Sequence, residues 1–199
     1  MVDSTTAPSG PSFGVNQGVW EYYDVNNNLL GYVVRYEKNG KKEFRPFTFQ
    51  GGQWVKKWWP STDADIHKPL YNAQLLTKHP NKPVLIVEGE KAADKAQELL
   101  PDYVVISWLG GANAVKKVNI SPLAGRKVYA WPDNDEPGKK AMTVLLNRIA
   151  SLDAEIIPVC IDGLQLPEKW DLGDFDEEYG DIDLELIKLT IAGSKPKPP

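Results

Sequence analysis

The chain has 199 residues, of which 42% are hydrophobic and 25% charged, and a formal net charge of −4, as is ordinary for a soluble globular protein. A single cysteine, Cys160, excludes a disulfide framework and a cysteine-based zinc site, and two histidines leave little scope for a histidine-rich metal site. No apolar run approaches the roughly 20 residues of a membrane span, and the N-terminus lacks the charged and apolar regions of a signal peptide. We therefore expect a cytoplasmic protein with no membrane partner.

Charge is unevenly spread along the chain. Residues 31–60 carry seven basic side chains against two acidic ones, whereas residues 133–187 carry fifteen acidic against four basic. Such asymmetry predicts subdomains with different partners. The predicted organisation is a disordered tail over 1–14, a β-rich basic subdomain over 15–68, an α/β domain over 69–192, and a tail or linker over 193–199.

The N-terminal subdomain is predicted as a small antiparallel sheet. Asn39-Gly40 is typical of a two-residue type I′ hairpin, because both of its positions need positive φ. Four of the seven tryptophans fall in this segment: Trp20, Trp54, Trp58 and Trp59. The predicted strands cover 19–24, 29–36, 42–49 and 53–59.

From residue 83 onward the pattern changes to short, continuous apolar runs that alternate with helical segments. Such runs are typical of strands buried on both faces of a parallel sheet. The alternation predicts right-handed βαβ units, and so a parallel four-stranded sheet flanked by helices. Residues 69–80 are predicted as a connecting helix or loop. Predicted strands cover 83–87, 103–107, 126–131 and 154–161, and predicted helices cover 92–100, 113–118, 138–151 and 182–191.

Carboxylates follow three of these four strands. Glu88 ends the first strand, Asp133 and Asp135 follow the third, and Asp171 and Asp174 follow the fourth. Because the functional crevice of an open α/β sheet lies at the carboxyl ends of its strands, these side chains are expected to gather there. Such carboxylates repel one another unless a cation neutralises them, and hard oxygen ligands select Mg²⁺ or Mn²⁺ over zinc.

Each acidic motif also has an ordinary structural interpretation. The Asp133–Asp135 segment alone is equally typical of a turn and helix N-cap, and Asp171 with Asp174 is typical of an acidic turn. All of them together after buried strands favour a site. Gly138, at the start of the predicted helix, would turn backbone N–H groups toward a phosphate.

In this order, the motifs resemble the Toprim domain shared by primases, topoisomerases and some nucleases. The resemblance covers about residues 82–180. The amino-acid sequence of these motifs is similar to that of the primase branch, in particular the primase core, or RNA-polymerising domain, of phage and mobile-element DNA primases. The segments that carry it are Glu88-Gly89-Glu90-Lys91-Ala92-Ala93-Asp94, Asp133-x-Asp135-x-x-Gly138 and Asp171-Leu172-Gly173-Asp174.

The resemblance implies a Toprim-like fold over 69–192 and an Mg²⁺-dependent (or Mn²⁺-dependent) nucleotidyltransferase that synthesises primers on a single-stranded DNA template from nucleoside triphosphates. It implies catalytic roles for Glu88, Asp133 and Asp135, and a metal site that also includes Asp171 and Asp174. Expected contacts to nucleotide or nucleic acid are Lys91, Lys139, Arg35, Arg45, Lys56 and Lys57, with Trp54, Trp58 or Trp59 as candidates for base stacking.

The chain departs from the primase pattern in several ways. It has no cysteine set for a zinc-binding module and no G-x-x-x-x-G-K-[ST] loop for a helicase motor, so such modules are expected partners in the same or another chain. Primases of this family carry an aspartate four residues after the glutamate, where this chain has Ala92. The alternatives are a Toprim nuclease or strand-cleaving enzyme, and a non-catalytic Toprim DNA-binding protein.

Overall fold

A computed structural model of the chain describes residues 10–57, 68–176 and 182–195. These residues fall into two compact units: the first holds 10–22 and 29–57, and the second holds 23–28 and everything described from 68 onward. Most of the predicted N-terminal tail lies outside the described residues, as do Trp58, Trp59 and the last four residues of the predicted C-terminal tail.

The first unit is built on a four-stranded sheet. Its strands lie in the order β1-β2-β3-β4, with β2 antiparallel to β3 and β3 antiparallel to β4. The predicted hairpin is confirmed: Lys38 pairs with Lys41, and Asn39 and Gly40 have φ of 54° and 69°. The strands are β1 (Gly18–Tyr23), β2 (Leu29–Lys38), β3 (Lys41–Gln50) and β4 (Gln53–Val55).

An aromatic cluster packs on one face of this sheet. The Phe13 ring lies 5.1 Å from the Tyr32 ring and 5.3 Å from that of Phe47, and the Tyr36 hydroxyl donates to the Phe13 carbonyl at 2.9 Å. Trp54 joins the cluster, with its ring 5.2 Å from Tyr32. Phe13 therefore packs on the sheet, although it lies in the segment predicted as a disordered tail.

The second unit contains a five-stranded sheet in the order β5-β7-β6-β8-β9. Four strands are parallel, as predicted: β6 (Val84–Glu88), β7 (Val104–Trp108), β8 (Lys127–Ala130) and β9 (Glu155–Pro158).

The fifth strand was missed, and the prediction of four strands is wrong in this respect. β5 (Leu70–Tyr71) pairs antiparallel with β7 at one edge of the sheet, inside a segment expected to be a connecting helix or loop. Two residues are too short to show an alternating pattern. Only their pairing with Trp108 and Ser107 makes them a strand.

Helices cover both faces of this sheet. On α3, Leu145 and Ile149 are fully buried and belong to the main core cluster with strand residues such as Ile86 and Ile106. Among the described residues, no helix is long and apolar enough to cross a membrane. The helices are α1 (Ala73–Lys78), α2 (Glu90–Leu99), α3 (Glu136–Ile149) and α4 (Leu184–Gly193), and the segment predicted as a helix over 113–118 is a 3₁₀ helix, Ala112–Lys117.

Arg126 holds together the edge of the sheet where the parallel strands begin. Its guanidinium donates to the carbonyl oxygens of Leu76, His79 and Lys82, at 2.8, 3.1 and 2.8 Å. These three carbonyls belong to the end of α1 and the connection to β6. One side chain therefore supplies a donor to three backbone acceptors of this connection.

We expect the Arg126→Met variant to lose about 2 kcal/mol of unfolding free energy, because it leaves these carbonyls without their donor. Urea unfolding followed by circular dichroism measures the change. The matched control is Lys127→Met, which removes a half-exposed ion pair with Glu155 and is expected to change the free energy of unfolding far less than Arg126→Met does. Equal effects of the two variants would contradict this role of Arg126.

Candidate functional site

The predicted carboxylates gather at the carboxyl edge of the parallel sheet. Glu88 ends the central strand β6 and lies opposite Trp108 of β7. On the other side of β6 lies β8, which is parallel to it. The Trp131 N–H donates to the Ile86 carbonyl at 3.0 Å, so the pairing of β8 with β6 extends to the residue after β8. Asp133 follows two residues later. The adjacent strands therefore deliver Glu88 and Asp133 to the same edge.

Asp133 is at the centre of this cluster. Burial is the largest cause that raises the pKa of its carboxyl from 3.8 to about 8, followed by the negative charges of Glu88, Asp171, Asp135 and Asp174 in that order. An aspartate in this setting holds a proton near neutral pH unless a cation lies beside it. The predicted grouping of five carboxylates is therefore present as one electrostatically coupled set.

Asp135 has a structural role in addition to its place in the cluster. It is the N-cap of α3, and its Oδ1 accepts the Gly138 N–H at 2.7 Å. α3 consequently begins at Glu136, two residues earlier than predicted. A Cβ added to Gly138 would lie 2.8 Å from the Asp133 Cβ, so the turn needs glycine there for its close packing. Asp135 is therefore both the N-cap of α3 and a predicted site residue.

Asn134, which the sequence did not single out, ties two acidic segments together. Its N–H donates to the Trp170 carbonyl at 2.9 Å, and its carbonyl accepts the Lys169 N–H at 2.9 Å. Its side-chain amide also donates to the carbonyls of Leu166 and Pro167, at 2.8 and 2.9 Å. These bonds hold the segment before Asp171 against the turn that carries Asp133.

Asp171 and Asp174 form a capping box around the 3₁₀ helix Leu172–Asp174. Asp171 Oδ1 accepts the Gly173 N–H at 2.6 Å, and the Asp171 N–H donates to Asp174 Oδ2 at 3.3 Å. Lys91, predicted as a phosphate contact, instead lies 3.1 Å from Asp174 Oδ1. The acidic-turn interpretation is therefore confirmed for this segment, and its place in a metal site stays a prediction.

Lys68 is a second residue that sequence reasoning missed. A Cβ added to Gly110 would lie 3.0 Å from the Lys68 Nζ, and one added to Gly111 would lie 3.1 Å from Glu88 Oε1. The lysine and the glutamate thus flank one two-glycine loop. Burial and the charge of Lys117 lower the pKa of Lys68. The short strand β5, which begins two residues after Lys68 and pairs with β7, brings this cation to the sheet.

The other predicted cations have surroundings of their own within each unit. Lys139 Nζ lies 2.6 Å from Asp162 Oδ1. In the first unit, Arg45 pairs with Glu43 at 2.8 Å, and Lys56 Nζ lies 5.6 Å from the centre of the Phe47 ring. Arg35 is partly buried on β2 and Lys57 is exposed after β4.

The chemistry of the cluster fits a hard divalent cation, although the side chains are not arranged as a ready-made site. Within the described ranges, no group of three or more histidine, cysteine, aspartate and glutamate side chains is placed to hold a metal ion. The donors are carboxylate oxygens, which Mg²⁺ and Mn²⁺ prefer, and the raised pKa of Asp133 reports excess negative charge that such an ion would offset.

Comparison with solved structures defines the class of fold. The chain is similar to the Aquifex aeolicus primase (zinc-binding and RNA polymerase domains), with a TM-score of 0.56, 21% identity, and coverage of 94% of this chain and 44% of that one. A DnaG primase catalytic domain bound to ssDNA gives 0.57 at 15% identity, and a DNA primase domain from Pseudomonas aeruginosa gives 0.58 at 14%. Each of these two matches covers 89% of this chain and 51% of the other. The chain has the fold of primase catalytic cores.

Sequence comparison then identifies the family. A family model described as "Domain of unknown function (DUF6371)" matches residues 15–134, and the chain belongs to that family. A curated DNA primase of Aquifex aeolicus is 31% identical over 83 residues, which is 42% of this chain and 16% of that protein. The family match includes Glu88 and Asp133 and ends before Asp135. The chain spans about half or less of the length of these primases.

The free energy of unfolding is expected to fall as pH rises from about 4 to about 8 in metal-free buffer containing a chelator. The pKa of Asp133 is higher in the folded chain, so over this range the folded state binds more protons than the unfolded state. This contribution is fully present below the ordinary pKa and is lost as pH rises through 8. Urea unfolding at several pH values measures it, and Asp133→Asn should show a shallower fall. Parallel pH profiles for the two proteins would contradict the assignment.

Proposed function

We propose that the chain is a Toprim-type catalytic core that transfers nucleotides in the presence of Mg²⁺ and synthesises primers on single-stranded DNA. The observation that carries this proposal is the carboxylate cluster at the carboxyl edge of the sheet, where burial and then the neighbouring negative charges raise the pKa of Asp133 to about 8. The similarity to primase catalytic cores supports it, and one of those domains was solved bound to ssDNA.

In this proposal Glu88, Asp133, Asp135 and Asp171 would hold the metal, which can equally be Mn²⁺. When bound, it would neutralise the triphosphate of the incoming nucleotide and lower the pKa of the attacking hydroxyl. Asp135 has one oxygen committed to the helix cap, so it would offer the other. Glu88 lies beside the glycine loop and would accept a proton or complete the carboxylate set.

Cations near the cluster would orient the nucleotide, since phosphoryl transfer depends mainly on positioning and charge neutralisation. Lys68 is placed for this role because it flanks the same Gly110-Gly111 loop as Glu88. Lys139 would exchange its pairing with Asp162 for a phosphate. Arg35, Arg45, Lys56 and Lys57 of the first unit would contact the template backbone.

The single cysteine leaves the zinc-binding role of primases to another segment or another chain, and a helicase would likewise be a separate module. A Toprim nuclease would use the same cluster on an existing phosphodiester, and a binding protein would use neither reaction. The assay below separates these outcomes.

With nucleoside triphosphates, single-stranded DNA and Mg²⁺, we expect short primers that disappear when EDTA is added. Asp133→Asn and Asp135→Asn should each reduce primer synthesis by at least about 100-fold, because each removes a carboxylate that the metal requires. Gel analysis of labelled products measures this. Asp102→Asn, an exposed aspartate in the turn before β7, is the matched control and should leave the rate unchanged.

Degradation of the DNA without primers would favour the nuclease, and template binding with neither reaction would favour the binding protein. Either result from the wild-type chain contradicts the primase proposal. Loss of primers in the Asp102→Asn control as well would show that any lost carboxylate damages the chain, and would remove the support from the site variants.

The contribution of the first unit to template binding is tested by the Lys56→Gln/Lys57→Gln variant. If both lysines contact phosphates, the plot of log affinity for single-stranded DNA against log salt concentration should become shallower by about 1.4. Fluorescence anisotropy at several salt concentrations measures the slope. The Lys188→Gln/Lys195→Gln variant, at and after α4, removes the same charge and should keep the wild-type slope. An unchanged slope in the first variant would exclude these lysines from the interface.

A further inference from the structure

The turn Asp171–Asp174 packs closely against the first turn of α2. A Cβ added to Gly173 would lie 3.1 Å from the Ala92 backbone nitrogen and 3.2 Å from its Cα. Ala92 itself is only 2% exposed. Glycine at position 173 therefore permits this close approach to the backbone of α2.

The turn is also anchored from within. Leu172 and Phe175 are buried, with 1% and 6% of their surface exposed, and the Lys95 Nζ lies 5.9 Å from the centre of the Phe175 ring. Lys95 is one helical turn along α2 from Lys91. The turn Asp171–Asp174 is therefore held against α2 by the burial of its apolar side chains and by the contacts of Lys91 and Lys95.

Both carboxylate oxygens of Asp174 have partners within this arrangement. Oδ1 lies 3.1 Å from the Lys91 Nζ, and Oδ2 accepts the Asp171 N–H at 3.3 Å. Asp174 thus links the side chain of Lys91 to the backbone of Asp171.

We propose that Asp174 is a positioning residue and not a metal ligand: paired with Lys91, it fixes the turn that presents Asp171 to the cluster. The inference rests on the metal site proposed above and divides its acidic turn into two roles. Asp171 would contribute its carboxylate to the cluster, while the Lys91–Asp174 ion pair holds the turn in place. This assigns Lys91 a structural partner in place of the expected phosphate.

The sign of one measurement separates this role from its alternatives. Lys91 carries a positive charge close to a cation site, so its removal should tighten binding of a divalent cation if only Coulomb repulsion matters. If Asp174 were a ligand restrained by Lys91, removal of the lysine would free it and again tighten binding. If Lys91 and Asp174 position Asp171, its removal should weaken binding.

The experiment is titration of the full chain with Mn²⁺ alone, followed by electron paramagnetic resonance of the free ion. We expect Lys91→Met to weaken Mn²⁺ binding about threefold, and Asp171→Asn to weaken it more than about tenfold. Asp174→Asn should weaken Mn²⁺ binding no more than a few-fold. In the Asp174→Asn background, Lys91→Met should cause no further loss, because the ion pair between the two side chains is already absent. Lys91→Arg, which preserves the pair, should bind as the wild type does.

The matched control is Lys140→Met, which removes an exposed lysine near the start of α3 that pairs with Glu136 at 3.9 Å. It should tighten Mn²⁺ binding slightly or leave it unchanged. Thermal unfolding of all variants without metal shows whether any loss comes from a damaged fold. A Lys91→Met chain with a wild-type melting temperature and weaker Mn²⁺ binding supports the positioning role.

Tighter Mn²⁺ binding by Lys91→Met, or an Asp174→Asn loss as large as that of Asp171→Asn, would overturn the inference and leave the proposed metal site intact. A wild-type chain that binds no Mn²⁺ would overturn both. The two failures are therefore distinguishable in one set of titrations.

Discussion

Repulsion among carboxylates held at one sheet edge is the constraint on which the rest of this structure depends. Two parallel strands and the turn at 171–174 bring negative charges together, and partial burial prevents water from screening them. Burial of the Asp133 carboxyl and, after it, the charges of these neighbours raise its pKa to about 8. Such an arrangement costs stability, and the surrounding contacts are those required to keep it: the hydrogen bonds of Asn134, the tight turn at Gly138 and the contact of Gly173 with Ala92.

The fold was largely predictable because its main elements carry strong local signals. Continuous apolar runs such as Val84–Val87 are typical of strands in a parallel sheet that is covered on both faces, and Asn39-Gly40 is typical of a tight hairpin. β5 escaped prediction because two residues carry no periodicity, and their strand character comes from pairing with β7. The start of α3 was predicted two residues late because Gly138 was taken to open the helix, whereas Asp135 is the N-cap and Glu136 is the first helical residue.

Sequence patterns could predict the site residues that follow strands. They could not predict the residues that hold distant segments of the chain together. Glu88 and Asp133 follow buried strands, so chain order alone places them at the same edge. Asn134 and Lys68 act through partners more than thirty residues away in the chain, such as Pro167 and Gly110, and no local pattern marks such contacts. The pairing of Lys91 with Asp174 joins residues 83 positions apart, so no local pattern could predict it.

The account stands on the charge state of Asp133, which carbon-detected NMR of its carboxyl group can titrate directly in the full chain. Without divalent cations, the carboxyl resonance should shift with a midpoint near pH 8, and saturating Mg²⁺ should move that midpoint several units lower. A midpoint near the ordinary aspartate value that Mg²⁺ leaves unchanged would contradict both the coupled cluster and the metal site built on it.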